Sequence, residues 1–277
     1  MKRIAFKTNP GKMRYRELFR VAGGGGTGVL ACVLKLVRIL GPDEGGFGIR
    51  SFGDTLDRKE IDSASRRVRS ATEGYRAKIE KLGFVPGFLY SIEPYGSQEG
   101  HGLVFRHKDG TGGAAVVYAR CVRNDSETET TVFSYNTPLK DDTYVITSGN
   151  KRLMNKPSHF RSEYMPGASP KDVWERHLDR VESSGEAPRK IKTDEDLERI
   201  ALYCENDETE FNLDRGVYVR MSRSEIELGE ELREEYEQEG SGPRRRRSQE
   251  EEDYEDDEDD GDDEDEEDDD DDRGRRR

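Results

Sequence analysis

Apolar residues recur at three- and four-residue steps at Ile61, Ala64, Val68, Ala71, Tyr75, Ile79 and Leu82. Arginines and lysines fill the opposite side, and Gly83 stands where a helix would stop. This spacing predicts a helix of about five turns with one buried stripe. From Phe84 the period changes to that of strands. Phe84–Tyr95 reads as a strand pushed toward an edge or a bulge by Pro86 and Gly87. Leu103, Phe105 and His107 alternate with Val104 and Arg106, and a Lys108-Asp109-Gly110-Thr111 turn comes next. Ala114–Val122 is nearly all apolar and predicts a central strand. Thr130–Thr137 and Thr143–Ser148 are rich in Thr, Val, Tyr and Ile, with Asp141-Asp142 marking the turn between them. Five strands joined by short turns favour an antiparallel meander, with helices over one face.

The next segment, Gly149 to Ala168, reads as a loop. Ser169-Pro170-Lys171-Asp172 is then a helix start, with a serine cap, proline at the first position and a carboxylate in the first turn. Trp174, His177, Leu178 and Val181 form its inward stripe. Thr193 caps a further helix with Leu197, Ile200, Ala201 and Cys204 inward. Val217–Met221 reads as a short strand and Ser224–Glu237 as a charged helix. The fold class is therefore α+β: an about five-stranded antiparallel meander covered by helices, spanning 61–237.

Ahead of it lie a basic leader with a glycine-rich apolar helix (1–40) and a linker (41–60). Residues 1–20 carry Lys2, Arg3, Lys7, Lys12, Arg14, Arg16 and Arg20 against one acid, Glu17. A basic start before an apolar run is the layout of a signal or an anchor. The uncharged stretch Val21–Leu34 falls short of the roughly 20 residues that a spanning helix needs, and Lys35 and Arg38 interrupt the rest of the run. Those two cations lie one turn apart, with Leu30, Val33, Leu34, Val37 and Leu40 on the other side, which is an amphipathic arrangement suited to a membrane interface. A helix docked on the body and a cleaved signal are the other two readings. The glycines Gly23, Gly25 and Gly28 fit G-x-G-x-x-G, but no buried strand precedes them and no further βα units come after, so the run reads as a joint.

Charge changes the picture at the other end. Of the 23 positions from Glu250 to Asp272, 21 are Asp or Glu. With the flanking arginines, this tail carries −13 of the net charge of −15. Such a run has almost nothing apolar to bury, its charges repel, and 238–277 is expected to be a disordered acidic tail. Dense carboxylates attract basic proteins or cations through many screened contacts, whereas nucleic acid is disfavoured as a partner.

Candidate chemistry is sparse. Cys32, Cys121 and Cys204 show neither CxxC spacing nor a disulfide framework, and His101, His107, His159 and His177 lack metal-ligand spacing. No cofactor, metal site or catalytic residue is assigned. His177, one turn from Trp174 on an apolar stripe, reads as a satisfied core histidine. His101 and His107 would need a facing carboxylate to act as bases. The paired Asp141-Asp142 reads as an ordinary turn. The one candidate binding surface is the acid-free run Asn150–Arg161, where Lys151, Arg152, Lys156, His159 and Arg161 could grip an anion. The resulting expectation is a non-catalytic interaction protein whose acidic tail engages basic partners or cations. The alternatives are a membrane-associated sensor of a small ligand or anion, with residues 1–40 on an anionic membrane surface, and an enzyme. Cytoplasmic and membrane-associated placement are left equally open.

Overall fold

The computed structural model describes residues 2–36, 47–52, 55–92, 98–123 and 126–241. The chain opens with strand β1 (Lys2–Thr8), followed by helices α1 (Tyr15–Val21) and α2 (Gly25–Leu36). Strands β2 (Phe47–Phe52) and β3 (Asp57–Lys59) come next, then helix α3 (Arg66–Glu80). An antiparallel run succeeds it: β4 (Phe84–Ile92), β5 (Gln98–His107), β6 (Gly113–Arg123), β7 (Ser126–Pro138) and β8 (Tyr144–Ser148). Strand β9 (Phe160–Tyr164), helices α4 (Pro170–Ser183) and α5 (Asp194–Asp214), strand β10 (Tyr218–Arg220) and helix α6 (Arg223–Ser241) complete the order. Met1–Glu237 forms one unit; Gln238–Arg277 is a second, of which only the end of α6 is described. The acidic run of the tail, the residues after Leu36 in the apolar segment, and the end of the strand read as Phe84–Tyr95 lie outside the described residues.

The fold is α+β, as the periodicity implies, and β4 to β8 form the expected meander. β6 is central, the fourth of seven strands in the order β3-β4-β5-β6-β7-β8-β9. Two strands exceed the expectation. β3 pairs with β4 on one edge, and β9 pairs in parallel with β8 on the other, inside the segment read as a loop. The ladder between β4 and β5 shifts register between Pro86 and Leu89, so the Pro-Gly pair makes a bulge and not an edge.

Helices cover both faces of this sheet, where the pattern had suggested one. Phe84, Leu89, Leu103, Phe105, Ala114, Val116, Tyr118, Phe133 and Tyr135 pack beneath α3 and α4 with Val68, Ile79, Val173 and Trp174. The alternate positions Phe88, Tyr90 and Val104 face the other way, joining Tyr144, Phe160 and the Leu197 and Ile200 stripe of α5. That is why consecutive strand positions are apolar: each face has its own cover.

Capping fixes the helix boundaries. Ser65 accepts from the Val68 N–H, so α3 starts at Arg66, and Ile61–Ser63 is a separate short 3-10 turn. Gly83 then takes φ +95°, closing the helix. Ser169 with Asp172, and Thr193 with Asp196, make reciprocal capping boxes at the starts of α4 and α5.

A second, three-stranded sheet has the order β10-β1-β2, antiparallel throughout. The basic leader is thus a strand clamped between elements from the two ends of the body, and the segment read as a linker supplies β2 and β3. Backbone bonds from Asn9 N–H to Val217 O (2.7 Å) and from Met221 N–H to Ala5 O (3.0 Å) extend the pairing. Met13 and Leu18 are buried against Val217, with Ala31 and Met154 beside them. Among the described residues no helix is long and apolar enough to cross a membrane.

Candidate functional site

The basic run Asn150–Arg161 does not assemble as one anion site. Lys156 pairs with Glu208, His159 Nε2 lies 3.0 Å from Asp207, and Arg161 lies 3.0 Å from Asp141. Acids on α5 and in the β7–β8 turn thus stand beside three of the five. Lys151 and Arg152 are exposed, and only Arg152 keeps a neutral partner: its Nη2 donates to Asn155 Oδ1 at 2.8 Å. The Asp141-Asp142 turn is held from within, Thr143 donating to Asp141 through both its N–H (3.0 Å) and its hydroxyl (2.6 Å), while Arg189 pairs with Asp142.

The histidines split by environment. His177 is fully buried between Thr137 and Thr147. His107 lies 3.3 Å from Leu82 O through Nε2 and 3.1 Å from the Thr111 hydroxyl through Nδ1, tying α3 to the β5–β6 hairpin. His101 Nε2 does face a carboxylate, Glu99 at 3.0 Å. That pair lies on β5, three strands from β8 and the basic loop.

The unusual surface lies at the N-terminus. Gly23, Gly24 and Gly25 take φ of +86°, +71° and +54°, a succession that L side chains resist, so the glycine run is the turn of a helical hairpin. A Cβ on Gly28 would stand 2.6 Å from Phe19 Cδ2 and 2.9 Å from the Phe19 carbonyl oxygen, so this position is also glycine because α1 and α2 touch there. In α2 the usual amphipathic order is reversed. Lys35 turns inward, donating to the Met13 carbonyl and lying 4.8 Å over the Tyr15 ring, and the Cys32 thiol lies 3.6 Å from the Tyr15 carbonyl. Burial lowers the Lys35 pKa, with Glu17 acting against that shift. Outward go Val29 (56 % exposed), Leu30 (58 %), Val33 (49 %) and Leu36 (69 %). Among the described residues twelve large hydrophobics are exposed, and seven lie between Tyr15 and Leu36, Phe19 and Val21 included.

Within this segment all charges but one are positive. Lys12, Arg14, Arg16, Arg20 and Lys35 are the ionisable side chains of 9–36 besides Tyr15, Cys32 and Glu17, and Glu17 is the segment's one acid, with no exposed surface. Its carboxylate accepts from the Arg215 guanidinium, from Asn155 N–H at 2.8 Å and from Arg14 N–H at 2.9 Å. Burial alone would raise the Glu17 pKa, but these donors outweigh it and hold the carboxyl below its ordinary range. Glu17 therefore fastens α1 both to the end of α5 and to the 150–157 loop. The same fastening brings two cations together. Arg20 Nη2 lies 3.5 Å from Asn155 Oδ1, the atom that Arg152 also engages, and Arg20 Nε donates to Arg16 O at 3.0 Å.

Sequence reasoning named Arg152 and the amphipathic split of α2. It left open whether the apolar side faces the body or turns outward, and it missed Arg20. The signal available for the second was Glu17, a lone acid in a basic segment, which marks a buried counter-charge more readily than a solvated one. No protein-family model, no curated protein and no solved structure matches this chain.

Proposed function

We propose that this is a non-catalytic interaction protein that settles on an anionic membrane surface through the α1–α2 hairpin, and that the carboxylate run Glu250–Asp272 offers a second, polyanionic surface to basic partners or cations. The reversed amphipathicity of α2 carries the membrane reading. Burying an aliphatic side chain contributes roughly 1.5–3 kcal/mol, so a helix that turns its lysine inward and four aliphatics outward forgoes several kcal/mol unless something covers it. The choice of occupant rests on charge. Lys12, Arg14, Arg16 and Arg20 accompany the apolar face, and the segment's only acid is buried, which suits phosphate-bearing lipid headgroups above an acyl interior. A protein groove would be expected to meet mixed charge on its rim.

The test is co-sedimentation of the full chain with phosphatidylcholine vesicles, with and without about 30 % phosphatidylserine, at low ionic strength. Binding is expected only with the anionic lipid. Leu30→Asp with Val33→Asp should reduce it at least about tenfold, since two charged groups would have to enter the interface. Two results would overturn the reading: an intact chain that stays in the supernatant, or a concentration-dependent dimer that the same double substitution dissolves.

The tail reading rests on composition and has its own test. Capture of a Lys/Arg-rich partner should weaken steeply with salt and vanish when residues 244–277 are deleted. A pull-down unchanged by both treatments would dispose of it.

A further inference from the structure

Arg20 and Arg152 are separated by more than 130 residues in sequence, yet both point a terminal nitrogen at one neutral oxygen, Asn155 Oδ1, at 3.5 and 2.8 Å. Neither forms an ion pair with a carboxylate among the described residues. Glu17, the carboxylate whose charge acts on Arg20, is already engaged by Arg215 and two backbone N–H groups. Two guanidinium groups do not approach each other without an electrostatic cost, and Arg16 stands one turn from Arg20 on the same helix with a third. Burial and the nearby Arg152 both weaken the hold of Arg20 on its proton, with Glu17 acting against them.

The fold fixes this arrangement. Arg20 is tethered through Nε to Arg16 O, and Asn155 through its N–H to Glu17, so the geometry does not depend on two free side chains meeting by chance. Each guanidinium has five N–H donors, and these bonds use two on Arg20 and one on Arg152. The amide that both groups engage is neutral and cannot compensate two positive charges. An oxyanion with several oxygens and two negative charges can, since it accepts from both forks at once.

We propose that Arg20 and Arg152, held together by Asn155, form a binding site for a phosphomonoester dianion. For the lipid-borne form of that ligand the proposal rests on the hairpin reading, because the site then takes a headgroup while the apolar face of α2 takes the acyl boundary. A free phosphate group would satisfy the same forks without a membrane.

The experiment uses the full chain in three arms. First, inorganic phosphate is titrated while the arginine side-chain Nε–H resonances are followed. Arg20 and Arg152 should shift together and saturate below about 10 mM phosphate, with Arg152→Gln weakening the affinity roughly tenfold. Arg152 is an exposed loop residue, so this variant folds irrespective of its effect on binding; Arg20→Gln should repeat the result. Second, vesicles containing phosphatidic acid are compared with phosphatidylserine vesicles of equal surface charge. At least about a fivefold preference for phosphatidic acid, lost in Arg152→Gln, identifies the lipid headgroup as the source. Phosphate binding without that preference identifies the soluble ester. Third, Leu30→Asp with Val33→Asp should leave phosphate affinity within about twofold of the parent, because the forks do not involve α2. Absence of both saturable phosphate binding and any phosphatidic acid preference would overturn the site, while retained binding to phosphatidylserine vesicles would leave hairpin docking intact. Phosphate binding by a chain that never sediments with vesicles would do the reverse.

Discussion

Replacing Glu17 by glutamine is expected to lower the unfolding free energy by about 2–4 kcal/mol, the range for breaking a largely buried charge pair by removing one partner. The carboxylate has no exposed surface and takes three donors from three different parts of the chain. Glutamine keeps the volume but turns one acceptor oxygen into an NH2 group, which would face an N–H or the Arg215 guanidinium. Arg215 retains some solvent access (18 %), which keeps the figure below the top of the range for fully buried pairs. Urea unfolding of parent and variant, compared through their midpoints at equal slope, measures the difference. The pair Glu17→Gln with Arg215→Met should recover part of the loss, because the orphaned guanidinium is then gone. A single variant within about 0.5 kcal/mol of the parent would mean that the network does not hold α1 in place.

How much of the fold is legible in the sequence depends on the range of the interactions involved. The starts of α4 and α5 were legible because Ser169 with Asp172 and Thr193 with Asp196 act over three residues. The central position of β6 was legible because a strand buried on both faces has no need to alternate. The same run carried the further signal that both faces are covered, since Ala114 and Val116 belong to one core and Ala115 packs against the other. β9 escaped because Phe160-Arg161-Ser162-Glu163-Tyr164 has no β-branched residue, and its pairing with β8 is parallel. Arg180 secures that edge from α4, donating to Ile146 O at 2.7 Å and to Arg161 O. β1 escaped because Lys2, Arg3 and Lys7 read as leader charge, while Phe6 finds its partner at Arg220.

The candidate site obeyed the same logic. A local count of basic residues found Lys156 and His159, but not that Asp207 and Glu208 would come beside them from α5. It found Arg152 without Arg20. In α2 the split between polar and apolar sides was visible, yet its direction was not. Which side faces the body depends on Met13 and Tyr15 receiving Lys35, a contact between separate helices that no periodicity encodes.

The interior histidine sets a pH dependence whose sign is dictated by its hydrogen bonds. Arg180 can only donate, and its Nη1 reaches Thr147 Oγ1 at 2.8 Å, which leaves that hydroxyl's proton free for His177 Nδ1 at 3.0 Å. On the other side the Thr137 hydroxyl donates to Thr111 O at 3.0 Å, so it accepts from His177 Nε2–H at 2.9 Å. The chain of donors runs one way, from Arg180 to the Thr111 carbonyl, and it requires a neutral imidazole protonated on Nε2. Burial, reinforced by the Arg180 charge, pushes the His177 pKa down to about 3 from its ordinary 6.5. In the unfolded chain the same ring binds a proton below about pH 6.5. Its contribution to stability is therefore complete above that pH and is lost as the pH falls toward 3, at about 1.4 kcal/mol per unit. Carboxylates such as Glu17, also held below their ordinary range, weaken the fold in the same direction at low pH, so the parent's acid sensitivity alone does not isolate the histidine. His177→Gln does, because its amide offers one donor and one acceptor but no titration. The variant should be less stable than the parent by a few kcal/mol at pH 7.5. Between about pH 6 and 4.5 that gap should close by roughly 1.5–2 kcal/mol, since only the parent has a histidine here to protonate on unfolding. Urea unfolding of both proteins at pH 7.5, about 6 and about 4.5 measures the gap. A gap that stays constant across those conditions would show that His177 is already protonated in the folded protein or titrates there unshifted, and the one-way chain through Thr137 and Thr147 would have to be redrawn.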